Sequence, residues 1–198
     1  MTAPQGDRSG VDLYWIPLGA GARFPLVRWN GRAFEAVAAR RAHRAPLDLY
    51  HAALEVRLDG VLFSIEMAPA WGAGSGSGGV VGHGPVGMGL LGRSRYFRYE
   101  IRRSRDGVIP DIGQAVGGPR HVADGAAAAR RVLDLAPDFP TRTWGRDELH
   151  TGDMWNSNSL VAWLLVRAGV GADDIAPPSH GRAPGWTAGL VVAARHEF

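Results

Sequence analysis

The dipeptide Asp59-Gly60 constrains the fold of this chain more than any other feature. It separates two alternating runs, Leu49 to Leu58 and Val61 to Met67, and Asp-Gly between such runs suits a two-residue type I′ turn, whose central positions both need positive φ. A two-residue turn sets Leu58 opposite Val61 and Ala53 opposite Glu66. One face of the hairpin then carries Leu54, Val56, Leu58, Val61, Phe63, Ile65 and Met67, the core side. The other carries His51, Glu55 and Arg57 against Leu62, Ser64 and Glu66. On it, His51 and Glu66 become diagonal neighbours, roughly 7 Å apart at Cα. A three-residue loop would flip one strand and undo the pairing.

Strand and helix patterns elsewhere indicate an α+β fold. Val11 to Leu18 reads as a strand, and Asn30 caps a helix over Arg32 to Arg44. Gly72 to Gly89 is glycine-dense without a Gly-Lys-Ser/Thr ending, so it reads as a flexible flap rather than a phosphate-binding loop. Arg95 to Arg103 is a strand, Asp111 to Val116 a short strand, and Asp124 to Leu135 an alanine-rich helix ending before Pro137. The tail, Ile175 to Phe198, ends in a strand-like Gly189 to Ala193. Residues 1–10 read as a disordered N-terminus and residues 11–198 as a single domain, a size that buries a real core.

Composition excludes several classes. The chain has no cysteine, which removes disulfides, thiolate metal sites and a thiol nucleophile. All 22 basic residues are arginines, so a pI of 9.9 accompanies a net charge of only +3. The arginines cluster at Arg40, Arg41, Arg44 and from Arg93 to Arg105. Tyr96, Phe97 and Tyr99 interleave with the second cluster, whose alternation is that of a solvated strand face rather than a nucleic-acid surface. No stretch approaches the ~18 apolar residues of a membrane span, and Met1 to Gly10 holds no apolar core of a signal peptide. The expectation is a soluble cytoplasmic protein without a membrane partner.

Chemistry concentrates at Trp155-Asn156-Ser157-Asn158-Ser159, a polar cluster opening into the apolar run Leu160 to Val166 that Gly169 stops. Asn or Ser at such a junction caps a helix, here Ser157 to Ala168. A hydroxyl there also sits where the helix dipole favours developing negative charge. Ser157 and Ser159 are two residues apart, and a small error in the helix start exchanges them. Histidine beside a carboxylate is the usual way to orient a general base, which makes His51 and Glu66 the base and its orienter. His83 lies in the flap, where it can close over a ligand, and Trp155 is expected to line any cleft. His150 and Asp153 flank the cluster, but no His-x-x-x-His spacing exists, so neither metal nor other cofactor is expected. His121, His180 and His196 have no partner suggested by spacing, and Asp147-Glu148 reads as a solvated pair.

The order of these pieces resembles the circularly permuted papain-like hydrolases, including the NlpC-like and PPPDE peptidases and the lecithin–retinol acyltransferase type. Leu49-Tyr50-His51-Ala52-Ala53-Leu54-Glu55-Val56 is similar to their histidine strand. Asn156-Ser157-Asn158-Ser159 is similar to their Asn-Cys-Asn-small motif, and the likeness spans roughly residues 47–167. It implies an antiparallel sheet packed on the nucleophile helix, with Ser157 attacking, His51 accepting its proton, and Asn156 or Asn158 adding an oxyanion donor. Ser157 departs from the cysteine of that pattern. A thiol, titrating near ~8.5, is readily ionised in advance, whereas a serine must lose its proton during attack. Two functions remain open: a hydrolase or acyl-transfer enzyme acting on an amide, peptide or ester, and an inactive relative that binds a peptide or small acyl ligand in the same groove.

Overall fold

The computed structural model describes residues 9–20, 35–70, 79–109 and 111–195. Its centre is a seven-stranded sheet in the order β4-β5-β3-β2-β1-β6, with β7 against part of β2. The strands are β1 (Gly10–Pro17), β2 (Asp48–Leu58), β3 (Val61–Pro69), β4 (Val80–Pro85), β5 (Arg98–Arg105), β6 (Arg120–Asp124) and β7 (Gly181–Arg182). All pairs are antiparallel except β2 with β7. Three helices cover one face: α1 (Ala126–Leu135), α2 (Ser157–Arg167) and α3 (Trp186–Ala194). Residues 35–41 form a further helical segment within the stretch expected to be helical. The chain is therefore α+β. Among the described residues, no helix is long and apolar enough to cross a membrane.

The hairpin follows the turn chemistry. Asp59 and Gly60 both have positive φ, 51° and 78°, as a type I′ turn requires. Leu58 pairs with Val61 and Leu54 with Ile65. Leu54, Val56, Leu58, Ile65 and Met67 are buried, joined on the same side by Leu160, Leu164 and Leu165 of α2 and Val132 of α1. α2 is buried on nearly all sides, because α3 and α1 flank it while the sheet lies beneath. At the α2–α3 crossing a Cβ on Gly189 would come within 2.4 Å of the Ser159 carbonyl, so only glycine admits this approach.

Several sequence expectations are corrected. Gly189 to Ala193 is helical, not a strand, because its mostly apolar residues pack between α2 and the rest of the core rather than alternating across a sheet. Asp111 to Val116 is not a strand either. Its centre is a single 3-10 turn, Ile112–Gln114, folded over the open face of the sheet, where Ile109 packs with Ile16 and Ala53. The helix expected from Asp124 starts at Ala126, since Arg120–Asp124 pairs with β1 as β6. Part of the glycine-dense segment, Val80–Pro85, is an edge strand, held because Gly82 and Gly84 let it lie close over Ile101 and Tyr99 of β5. Residues 71–78, including Trp71, and residues 1–8 of the expected disordered N-terminus lie outside the described residues, whereas Gly10, at the end of that expected terminus, is the first residue of β1.

Candidate functional site

The β2–β3 ladder ends at Leu54 and Ile65, although β2 runs on to Asp48 and β3 to Pro69. The backbone groups of β2 beyond that point pair with a side chain. Asn158 Oδ1 accepts from the Ala52 N–H at 2.7 Å, and Asn158 Nδ2 donates to the Tyr50 carbonyl at 3.0 Å. The amide thus does the work of a strand residue, and it seats the start of α2 in the notch between β3 and β7. His51 lies between the two residues it holds, and Ser157 directly precedes it in the chain.

The helix start is built by an unusually complete cap. Asn156 Oδ1 accepts from the Asn158 and Ser159 N–H groups, while Ser159 Oγ accepts from the Asn156 N–H, the reciprocal pattern of a capping box. Ser159 also donates to the Gly185 carbonyl at 2.8 Å and is fully buried. That settles a register the sequence leaves open, because Ser159 is committed to the cap. Asn156 and Asn158 both donate to the Pro184 carbonyl at 2.8 Å, so their amides hold the fold and are not free to meet a substrate. Gly185 has φ of 91° and passes so close to Asn156 that a Cβ would sit 2.2 Å from its Oδ1. Asp153 accepts from the Gly185 N–H at 2.7 Å, and burial raises its pKa despite the backbone N–H groups that bind it.

What the cap leaves over is Ser157. Among the described residues neither its hydroxyl nor its N–H has a hydrogen-bond partner, although the residue is only 6 % exposed. The N–H sits in the first turn, where the helix dipole favours negative charge.

His51 is oriented by Asp111, whose Oδ2 lies 3.3 Å from His51 Nε2. A carboxylate only accepts, so Nε2 carries the hydrogen, and Nδ1 is left as the basic nitrogen. Sequence reasoning missed this partner by reading Asp111 as the start of a strand. Pro110-Asp111 followed by Gly113 is turn chemistry and was the available signal. The Glu66 carboxylate makes no hydrogen bond among the described residues, and the end of the ladder leaves Ala53 unpaired with this residue. It still lies within electrostatic reach of His51. Burial raises the Glu66 carboxyl, helped by the charge of Asp111 and opposed by those of Arg102 and His51.

The other candidates separate. His83 is exposed on β4, opposite Glu100, with β5 and β3 between it and β2. Trp155 is 2 % exposed, stacked on Phe139 at 4.8 Å with its Nε1 donating to the Pro140 carbonyl; it is core and lines no cleft. Asp147 and Glu148 are both exposed, as expected of a solvated pair, but each carboxylate also binds its own loop. Asp147 accepts from the Thr151 and Gly152 N–H groups, and Glu148 accepts from Thr143, which hold both pKa values down. His121, for which spacing suggests no partner, lies between Asp12 and Asp124 at 2.9 and 3.0 Å. Among the described residues no group of histidines and carboxylates is arranged to hold a metal ion. No family model, curated protein or solved structure matches this chain.

Proposed function

We propose that this chain is a serine-dependent hydrolase or acyl-transfer enzyme of a permuted papain-like kind, acting on an amide, peptide or ester. The observation that carries the reading is the Asn158 clamp on Ala52 and Tyr50, which ties the residue after Ser157 to both neighbours of His51. Ser157 Oγ attacks the carbonyl carbon as its proton passes to His51 Nδ1. Asp111 fixes the imidazole and stabilises its charged form, and the Ser157 N–H faces the developing oxyanion. His51 then protonates the leaving group, and water or an acceptor nucleophile releases the acyl group from Ser157. Glu66 acts on His51 through its charge.

A fluorophosphonate probe tests this. Wild type is labelled, whereas Ser157→Ala and His51→Ala are not; labelling that persists in Ser157→Ala removes the assignment. The near-burial of Ser157 favours one rival, a groove that binds a peptide or acyl ligand without turnover. That rival gives a ligand-dependent rise in Tm with no labelling.

A further inference from the structure

Exposed large apolar side chains occur singly at Val37, Val80, Val108 and Val116, but four others lie together on one short segment. Met88 is 53 % exposed, Leu90 85 %, Tyr96 68 % and Phe97 44 %. All four lie between β4 and β5, in a stretch containing two 3-10 turns, Gly89–Arg93 and Arg95–Phe97. Arg93 and Arg95 are exposed beside them and Arg98 half-buried. From Gly79 to Tyr99 the chain holds no acidic residue. Among the described residues no carboxylate lies within ion-pair distance of these three arginines. Arg95 lies over the Tyr96 ring instead, 6.0 Å from its centroid.

The segment is anchored rather than loose. The Val86 N–H donates to the Phe97 carbonyl at 2.8 Å, closing its base, and Gly92 packs against Pro85. Gly87 is gripped on both sides: its N–H donates to the Trp144 carbonyl at 3.1 Å, and its carbonyl accepts from Arg146 Nε at 2.8 Å. Gly145 and Arg146 in turn exchange backbone bonds with Trp155, next to the cap of α2. Exposed apolar side chains on a fixed frame cost solvation with nothing folded to show for it, which marks a contact surface.

We propose that residues 87–98 dock this protein peripherally on an anionic lipid bilayer. Leu90 and Met88 enter the acyl boundary, Tyr96 and Phe97 sit at the headgroup level, and Arg93, Arg95 and Arg98 meet lipid phosphates. Unpaired arginines match an anionic surface, and bare aliphatic tips match hydrocarbon. A single-stranded nucleic acid would use the aromatic rings and arginines but gives Leu90 and Met88 no role. The sequence expectation of no membrane partner rested on the lack of a span, which does not bear on a surface contact. The hydrogen-bonded link through Gly87, Trp144 and Trp155 connects the docked surface to the start of α2, although docking does not depend on any reaction there.

Co-sedimentation of the full chain with vesicles tests the proposal. Binding is expected to phosphatidylcholine mixed with phosphatidylglycerol, weaker to phosphatidylcholine alone, and reduced by salt. Leu90→Ser weakens it by about tenfold, and Arg93→Gln with Arg95→Gln by roughly fivefold for each charge. These side chains are exposed, and an unchanged thermal melt verifies that each variant is folded. The proposal is overturned if the mixed vesicles sediment none of the protein or if Leu90→Ser binds them like wild type. It is also overturned if a single-stranded oligonucleotide binds more tightly than the vesicles and is indifferent to Leu90.

Discussion

Asn158 and Ala52 are joined by a 2.7 Å hydrogen bond across 106 residues of chain, the side-chain oxygen of a helix residue accepting from the backbone N–H of a strand. With the Tyr50 and Pro184 carbonyls, one buried amide holds three backbone groups from two segments. A strand neighbour would satisfy the same groups of β2, but it would also close the notch in which α2 begins. Replacing the neighbour by a side chain satisfies the backbone on either side of His51.

Asn158→Ala should therefore be among the most destabilising polar substitutions in the chain. It strands the Ala52 N–H and the Tyr50 carbonyl and removes one of the two bonds to the Pro184 carbonyl, and each lost buried bond costs about 1 kcal/mol or more. A total of roughly 3 kcal/mol lowers Tm by about 6–12 °C in a domain of this size. A thermal melt within 1–2 °C or so of wild type would show that the clamp adds little.

The two serines of the cluster should behave oppositely. Ser159→Ala removes the capping-box oxygen and the bond to the Gly185 carbonyl, a loss of about 1–2 kcal/mol by denaturant titration. Ser157→Ala removes a hydroxyl that bonds nothing and should change stability by less than about 0.5 kcal/mol, while abolishing fluorophosphonate labelling. Equal destabilisation by both would mean that Ser157 belongs to the cap as well.

Asp111→Asn tests the orientation of His51. The imidazole loses the carboxylate that fixes its tautomer and orientation, so the labelling rate should fall by about a hundredfold or more, with little change in Tm because Asp111 is part-exposed. If Glu66→Gln slows labelling more than Asp111→Asn does, the carboxylate that matters is Glu66.

Glu66 also predicts a pH effect on stability. Its folded pKa is raised, first by burial, so its contribution is fully present below the ordinary carboxyl value and lost as pH rises through the folded value. Glu66→Gln should match wild type below about pH 4 and melt at a higher temperature near neutrality. A variant that is less stable at neutral pH would show a favourable partner for the ionised carboxylate.

His121 gives the complementary case in an exposed setting. Its hydrogen bond to Asp12 is the largest effect and raises its pKa against burial, with a further upward contribution from the bond to Asp124. The stability it supplies is present below the ordinary imidazole value and lost as pH rises through the raised folded value. Urea midpoints of His121→Gln should trail wild type at about pH 5.5 and converge with it by about pH 9; a gap that persists at the higher pH would contradict the charge-based account.

Local rules in the sequence determined the hairpin register, the turn at Asp59-Gly60, the core face of β2 and β3, and the capped start of α2, because each depends on residues close in the chain. Periodicity failed where packing overrode it. Gly189 to Ala193 is uniformly apolar and suits a strand or a buried helix equally, and only its fit against α2 decides between them. The candidate site divides the same way. Residue types at His51 and Ser157 were legible, but their neighbours were not. Asp111 reaches His51 because Ile109 pins its loop over the sheet, and Asn158 is drawn to β2 because β3 leaves that edge at Ile65. Both depend on contacts between residues 60 and 106 positions apart. Such contacts arise only when the whole chain closes its core, and so only the tertiary structure could decide them.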